Sequence, residues 1–351
     1  MRALGITRGL DTGRFNQGRF RGVSGAVLIA LFSFAEAVWK LFITIINIIA
    51  PVFIVIGAGF LAVKGRLLSN DMVDGLNRFV VLFAIPCLLF NAISSLDLKA
   101  AYDWRVLAAF YSGATINFFI ATLLAMKLFH RPPGEAVAIG FGALFSNLLL
   151  IGLSISERAY GAGSLAPSYA IISLHAPFCY LLGITAMEFM GAKGATIAGT
   201  ARIVAKSMVR NSLMIGIGLG FAVNLAGIAL PGVAQSAVDM MSRAALPAAL
   251  FGLGGVLTRY AVADTAGEAT MVSLLSLLLH PGLTYVLCLW LGVSDATTRS
   301  VVLLAAMAPG VNAYLFATMY NKGVNTAASA VTLATALSVV TVSIWLWVLG
   351  S

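Results

Sequence analysis

Two amide side chains, Asn147 and Asn312, are the residues of this 351-residue sequence best placed to do chemistry. Each lies deep in an apolar run, where an amide must find a partner or a polar ligand to offset its burial. Around Asn312 the chain reads Leu303-Leu304-Ala305-Ala306-Met307-Ala308-Pro309-Gly310-Val311-Asn312-Ala313-Tyr314-Leu315-Phe316, with flanking charge only at Arg299 and Lys322. Pro309 has no N–H, so a helix through it strands the Ala305 carbonyl, and Gly310 lets the backbone bend. In hydrocarbon such a break persists only where protein or a watery cavity covers it. The second half of a broken helix turns free N–H groups and a partial positive charge toward the break, which suits a carboxylate. The competing role is packing, since an interhelical amide hydrogen bond contributes about 0.6–2 kcal/mol. Asn147 recurs in a comparable setting with Gly140, Gly142, Ser146 and Gly152, and paired interrupted segments of this kind point to a binding site.

Other groups are weaker candidates. Arg243 stands four residues before Pro247, about 6 Å of helical rise from that kink. A charge inside a span is a functional candidate by default, but Asp239, one turn earlier, offers a counter-ion. His175 and His280 could couple protons, or simply pack. No other carboxylate lies near the middle of an apolar segment, so a conventional acid-based sodium or proton site is not visible. Paired intramembrane acids, H-E-x-x-H and the P-loop signature are absent, which argues against an enzyme or an ATP-driven pump. Cys87, Cys179 and Cys288 fall inside apolar segments without metal-ligand spacing. Neither a metal nor a cofactor is implied.

These residues need elements that cross a bilayer. The chain is 60% hydrophobic and only 10% charged, with a mean hydropathy of +0.98. Soluble domains carry roughly 25% charged residues. The expectation is therefore an all-α membrane protein with about ten transmembrane helices. They fall at 41–63, 74–95, 104–127, 136–157 and 166–189, then at 211–229, 232–258, 269–292, 299–320 and 324–349. Residues 1–40 are a basic tail and a short apolar run, resembling a signal sequence or an upstream start. Two five-helix units, 41–190 and 211–351, flank a hydrophilic linker at 191–210.

The halves repeat. Ala84-Ile85-Pro86-Cys87-Leu88-Leu89-Phe90 and Ala245-Leu246-Pro247-Ala248-Ala249-Leu250-Phe251 share A-x-P-x-x-L-F, with Pro86 and Pro247 161 positions apart. Asn147 and Asn312 are 165 apart. An odd-numbered unit reverses its copy in the membrane, giving two inverted five-helix repeats with broken crossover helices four and nine, the architecture of secondary transporters. The formal charge of +9 reflects membrane-flanking loops more than a nucleic-acid surface. Lys64, Arg66, Lys127, Arg131, Lys193, Arg202, Lys206, Arg210, Arg259 and Lys322 follow odd-numbered helices, placing those loops in the cytoplasm.

The residues resemble the auxin efflux carrier family, whose bacterial members include malonate permease-like carriers. The matching pieces are Pro51-Val52-Phe53-Ile54-Val55-Ile56-Gly57-Ala58-Gly59, Leu76-Asn77-Arg78-Phe79 with Pro86 to Phe90, and Pro247 to Gly254. His280-Pro281 and Ala308 to Ala317 complete the set, and the likeness spans about 43–349. It implies a carrier for small organic anions in the bacterial inner membrane, with an Asn from each crossing helix meeting the substrate carboxylate. Asn147 and Asn312 fall on those positions, beside Pro309 and Gly310. Tyr180 falls on a substrate-facing tyrosine and His175 replaces a glutamine, while Arg243, Pro86 and Pro247 are further candidates. A proton or sodium coupling ion and a homodimer are the partners to look for. The family pattern N-x-x-x-x-G-x-P lacks its proline here, where Leu153 and Ser154 follow Gly152. A bile-acid-type sodium–organic anion symporter is the nearest alternative, and an intramembrane enzyme or a channel the more distant ones.

Overall fold

The structure, a computed structural model, describes residues 25–190, 199, 202, 206, 209, 211–260 and 265–350. The basic tail before Gly25 and most of the 191–210 linker lie outside the described residues. The chain divides into two compact units, Met1–Thr44 and Ile45–Ser351. In the first, Lys40 pairs with Glu36 one helical turn away, and Trp39 packs on Phe42. All packing described below lies within the second.

Among the described residues every regular element is a helix. The first half contains α1 (Gly25–Lys64), α2 (Asn70–Ser94), α3 (Trp104–Lys127), α4 (Pro133–Leu144), α5 (Leu153–Tyr160) and α6 (Ala166–Met190). The second contains α7 (Ser212–Ala226), α8 (Gly232–Leu257), α9 (Ala266–Trp290), α10 (Asp295–Ala305), α11 (Val311–Tyr320) and α12 (Val324–Leu349). Side-chain oxygens of Ser69, Asp103, Asn211 and Ser294 cap the starts of α2, α3, α7 and α10, as helix N-termini require. Seven segments are long and apolar enough to cross a bilayer among the described residues, fewer than the ten expected. The difference has two physical sources. The fourth expected helix is broken into α4 and α5 and the ninth into α10 and α11, and α7 has only 15 residues.

Close packing places α1 against α8. A Cβ on Gly59 would overlap the Phe251 carbonyl, and one on Gly254 would overlap the Ile56 carbonyl. Only glycine lets the two backbones approach this closely, the usual way helices associate in lipid. One buried cluster joins Phe110 of α3, Ile171 of α6, Ala245 and Ala249 of α8, and Leu148, Leu153, Leu304 and Ala305 around the two breaks.

Prolines inside spans leave carbonyls without helical partners, and at Pro51, Pro281 and Pro86 side chains from other helices supply donors. Pro51 strands the Asn47 carbonyl, which accepts the Arg158 guanidinium at 2.8 Å. Pro281 strands the Leu277 carbonyl, which accepts the Trp345 indole N–H at 2.9 Å. Before Pro86, residues Val80–Ala84 form a π turn, in which the proline would have served the Val81 carbonyl. The Ser212 hydroxyl donates there at 2.7 Å instead. Trp345 is thus a hydrogen-bond donor to a broken helix.

Charged contacts separate by end. At one end Arg131 binds Glu268, and Arg259 meets Asp74 at 2.8 Å. At the other, Arg105 meets Asp103 at 2.6 Å and the Gly292 carbonyl at 3.1 Å.

Trp345→Phe keeps the ring and removes only the donor to Leu277. Its thermal unfolding in detergent is expected to show a loss of about 1–3 kcal/mol, the cost of an unsatisfied polar group. An unchanged midpoint would mean that the Leu277 carbonyl has another donor.

Candidate functional site

The site is built on the two breaks. After α4 the backbone extends at Phe145 (φ −93°, ψ 91°), and after α10 it unwinds until Gly310 (φ −80°, ψ 163°) opens α11. These segments run antiparallel and pair as a single β-type bridge between Ser146 and Pro309. The Asn147 N–H donates to the Ala308 carbonyl at 2.8 Å, and the Gly310 N–H donates to the Phe145 carbonyl at 2.8 Å. Both bonds belong to the neighbours of the bridged pair, so the pair itself needs no N–H. Proline is therefore tolerated at 309, because its missing donor falls where none is used.

The missing proline in the first break is compensated by backbone. Residues Leu148–Gly152 form a π turn, closed by the Gly152 N–H donating to the Asn147 carbonyl at 3.1 Å. The carbonyl of Ala143 would have been served by the Asn147 N–H, which is now turned to Ala308. The Asn117 amide of α3 replaces it at 2.8 Å, fully buried. Asn117 was missed by sequence reasoning. Its signal was a lone amide in the middle of an apolar helix.

The amide nitrogen of Asn147 is buried and has no hydrogen-bond partner among the described residues, nor has the neighbouring Ser146 hydroxyl. Asn312, in the first turn of α11, accepts the Tyr180 hydroxyl at 3.2 Å. Gly310 provides no side-chain cap, so the positive end of α11 faces the break with Asn312 in it. An aromatic wall closes the region. Phe141 stacks on Phe316 with centroids 3.9 Å apart, and Phe145 lies 4.7 Å from His175 and 6.0 Å from Tyr180. A carboxylate would find N–H donors at the crossing and apolar walls beside them.

Of the sequence-derived candidates, the structure brings Asn147, Pro309 and Gly310 together at the bridge, with Asn312 and Tyr180 hydrogen-bonded beside them. His175 reaches this group through Phe145, and Phe110 lies between it and His280. Pro86 sits apart, its backbone packed on Gly216 of α7. Arg243 and Pro247 line a separate cavity of about 620 Å³. The expected Asp239–Arg243 pair does not form. Asp239 Oδ1 accepts instead the Asn91 amide at 2.9 Å and the Gln235 amide at 2.9 Å, because α2 brings Asn91 closer than the arginine reaches.

An apolar helical bundle whose two interrupted helices pair their unwound backbones is an integral, multi-pass membrane protein with its polar site inside the bundle. A family model described as membrane transport protein matches residues 44–346, and the chain belongs to this family, that of the auxin efflux carriers. It is a transporter and not an enzyme. It is similar to "Putative malonate transporter" of Rhizobium meliloti (strain 1021), 24% identical over 310 residues, covering 88% of this chain and 96% of the relative. An uncharacterized transporter of Methanothermobacter thermautotrophicus is 24% identical over 302 residues, covering 85% and 96%. Auxin efflux carrier component 8 of Arabidopsis thaliana is 22% identical over 332 residues, covering 79% and 89%.

Asn117→Leu removes the donor to Ala143 and is expected to destabilise the crossing by about 1–3 kcal/mol. Thermal unfolding in detergent checks this, with Asn117→Gln expected to recover part of the loss. A wild-type midpoint for the leucine variant would mean that the α4 end needs no side-chain donor.

Proposed function

We propose that the protein is a secondary carrier that moves a small organic anion, a carboxylate or dicarboxylate such as malonate or malate, by alternating access. The observation that carries this reading is the unpaired Asn147 amide nitrogen, buried beside paired unwound segments and matched by Asn312 on the other break. A carboxylate supplies the acceptor that Asn147 lacks, and charge-assisted hydrogen bonds to amide and backbone N–H are among the stronger ones. The name of the Rhizobium relative favours malonate among small dicarboxylates. Proton or sodium is the candidate coupling ion, and a homodimer the candidate assembly.

The same reading takes the core as ten crossings in two inverted five-helix repeats within a bacterial inner membrane. Reciprocal packing supports it. Gly59 lies on the Phe251 carbonyl and Gly220 on the Phe90 carbonyl, and both partners shift by the 161 positions that separate Pro86 from Pro247. Such a swap is what a two-fold relation between the halves produces. Alternating access then follows from one set of helices rocking against the other around the fixed crossing. The charge distribution puts the Arg131 and Arg259 end in the cytoplasm.

Reconstituted into proteoliposomes, the wild type is expected to take up labelled malonate, and Asn312→Ala and Asn147→Ala to lose most of that uptake while remaining monodisperse. Near-normal uptake by both variants would return the amides to packing. Sidedness is read separately, in intact cells and a background lacking the native cysteines. Ile228→Cys is expected to react with an impermeant thiol reagent and Leu67→Cys to resist it. The opposite pattern would reverse the orientation.

A further inference from the structure

The cavity of about 620 Å³ lies between α1, α2, α5, α6 and α8, away from the Ser146–Pro309 bridge, and neither Asn147 nor Asn312 lines it. Its place in the bundle is defined by the last turns of α2 and α5 and the first turns of α6, which bring Asn91, Glu157, Arg158 and Tyr169 to it. It therefore belongs to the end opposite the Arg131 and Arg259 contacts. Ser154, seven residues beyond Asn147 on the segment that follows the break, also lines it, so the cavity reaches the element that carries the crossing.

Arg243 enters this space from the middle of α8, one turn before Pro247. An arginine at that depth is costly unless it meets water or an opposite charge. Among the described residues it forms no ion pair and no hydrogen bond. The other charges in the cavity are accounted for differently. Asp239 has two amide N–H groups on one carboxylate oxygen. Arg158 spends its guanidinium on the Asn47 and Ile48 carbonyls at 2.8 and 2.9 Å. Glu157 is the remaining acid, and it too forms no ion pair among the described residues. Val52, Val55, Leu88, Leu246 and Leu250 give the lining an apolar wall, and Ser154, Tyr169 and Ser242 add hydroxyls. A cavity of a few hundred Å³ that sets an apolar wall beside an unspent cation has the make-up of a small-molecule site.

We propose that this cavity is a second anion-binding site, in which the Arg243 guanidinium receives a carboxylate at a point separate from Asn147 and Asn312. The inference rests on the carrier reading above for the class of ligand. Arg243 gives a bidentate partner for one carboxylate group, and the leucine and valine side chains accommodate its short carbon chain. A site on this side of the crossing concentrates the anion next to the segment it must pass. It also favours substrates with a full negative charge over neutral acids.

The test is malonate binding to the full-length protein in detergent, by isothermal titration calorimetry. Wild type is expected to bind malonate at two sites, and Arg243→Gln to raise the Kd of one of them about ten- to a hundredfold, the loss of a charge-assisted contact, while the site at Asn147 and Asn312 is kept. Arg243→Lys should recover part of the affinity, and the unfolding midpoint without malonate should not change. Leu246→Trp fills the cavity and leaves every charge in place, so it covers the case in which Arg243→Gln fails to fold. It is expected to weaken malonate binding by roughly tenfold or more, and wild-type affinity would overturn the proposal. A Glu157→Gln, Arg243→Gln double variant with wild-type affinity would assign Arg243 to balancing Glu157, again overturning it. Should Asn312→Ala lose malonate while Arg243→Gln binds it normally, the cavity is not an anion site and the carrier reading stands. A wild type that binds neither malonate, succinate nor acetate removes both.

Discussion

Every carbonyl and N–H released by a helix break must find a partner inside the bundle, since lipid offers none. This constraint runs through the whole structure. The two largest interruptions answer each other, with Phe145 and Asn147 exchanging hydrogen bonds with Gly310 and Ala308. Smaller ones are answered by side chains from distant helices: Arg158 for the kink at Pro51, Trp345 for Pro281, Ser212 for Pro86 and Asn117 for the end of α4. Each of these donors ties two helices together at the point where one of them is weakest. Asn224 extends the pattern, donating from α7 to the Ile93, Ser94 and Leu96 carbonyls at the end of α2.

The proposed binding site follows from the same constraint. Where two breaks face each other, the backbone is satisfied laterally, and the half-helix ends are left pointing at a common region. The bridge fixes Asn147 by its own backbone, while Asn312 is held through Tyr180. One amide is thus free to bind and the other already oriented. Phe141, Phe145 and Phe316 keep the surroundings apolar, so polar contacts made there meet little competition from water. The non-helical geometry is confined to a few residues beside the buried cluster that includes Leu148 and Leu304.

Charge is arranged by another rule. Asp239 lies within a span, yet neutral amides from two helices hold it in place of the arginine one turn away. That leaves Arg243 unspent in a cavity, while Arg158 acts as a backbone cap although it looks like a loop cation in sequence. What each arginine does is set by what the neighbouring helix presents to it.

The sequence by itself determined the class of molecule. Length of apolar runs, scarcity of charge and the prolines are local properties, and they mark an all-helical membrane protein and the interrupted segments that carry Asn147 and Asn312. The A-x-P-x-x-L-F repeat was legible for the same reason, because it is a pattern along the chain. Tertiary structure decided how the breaks are satisfied and which polar groups remain free. Nothing local says that Asn117 reaches Ala143, that Trp345 reaches Leu277, or that Asn91 takes Asp239 away from Arg243. Hydrogen bonds between residues 26, 68 and 148 positions apart depend on the packing of whole helices, which at Gly59 and Gly254 is set by the absence of a single methyl group.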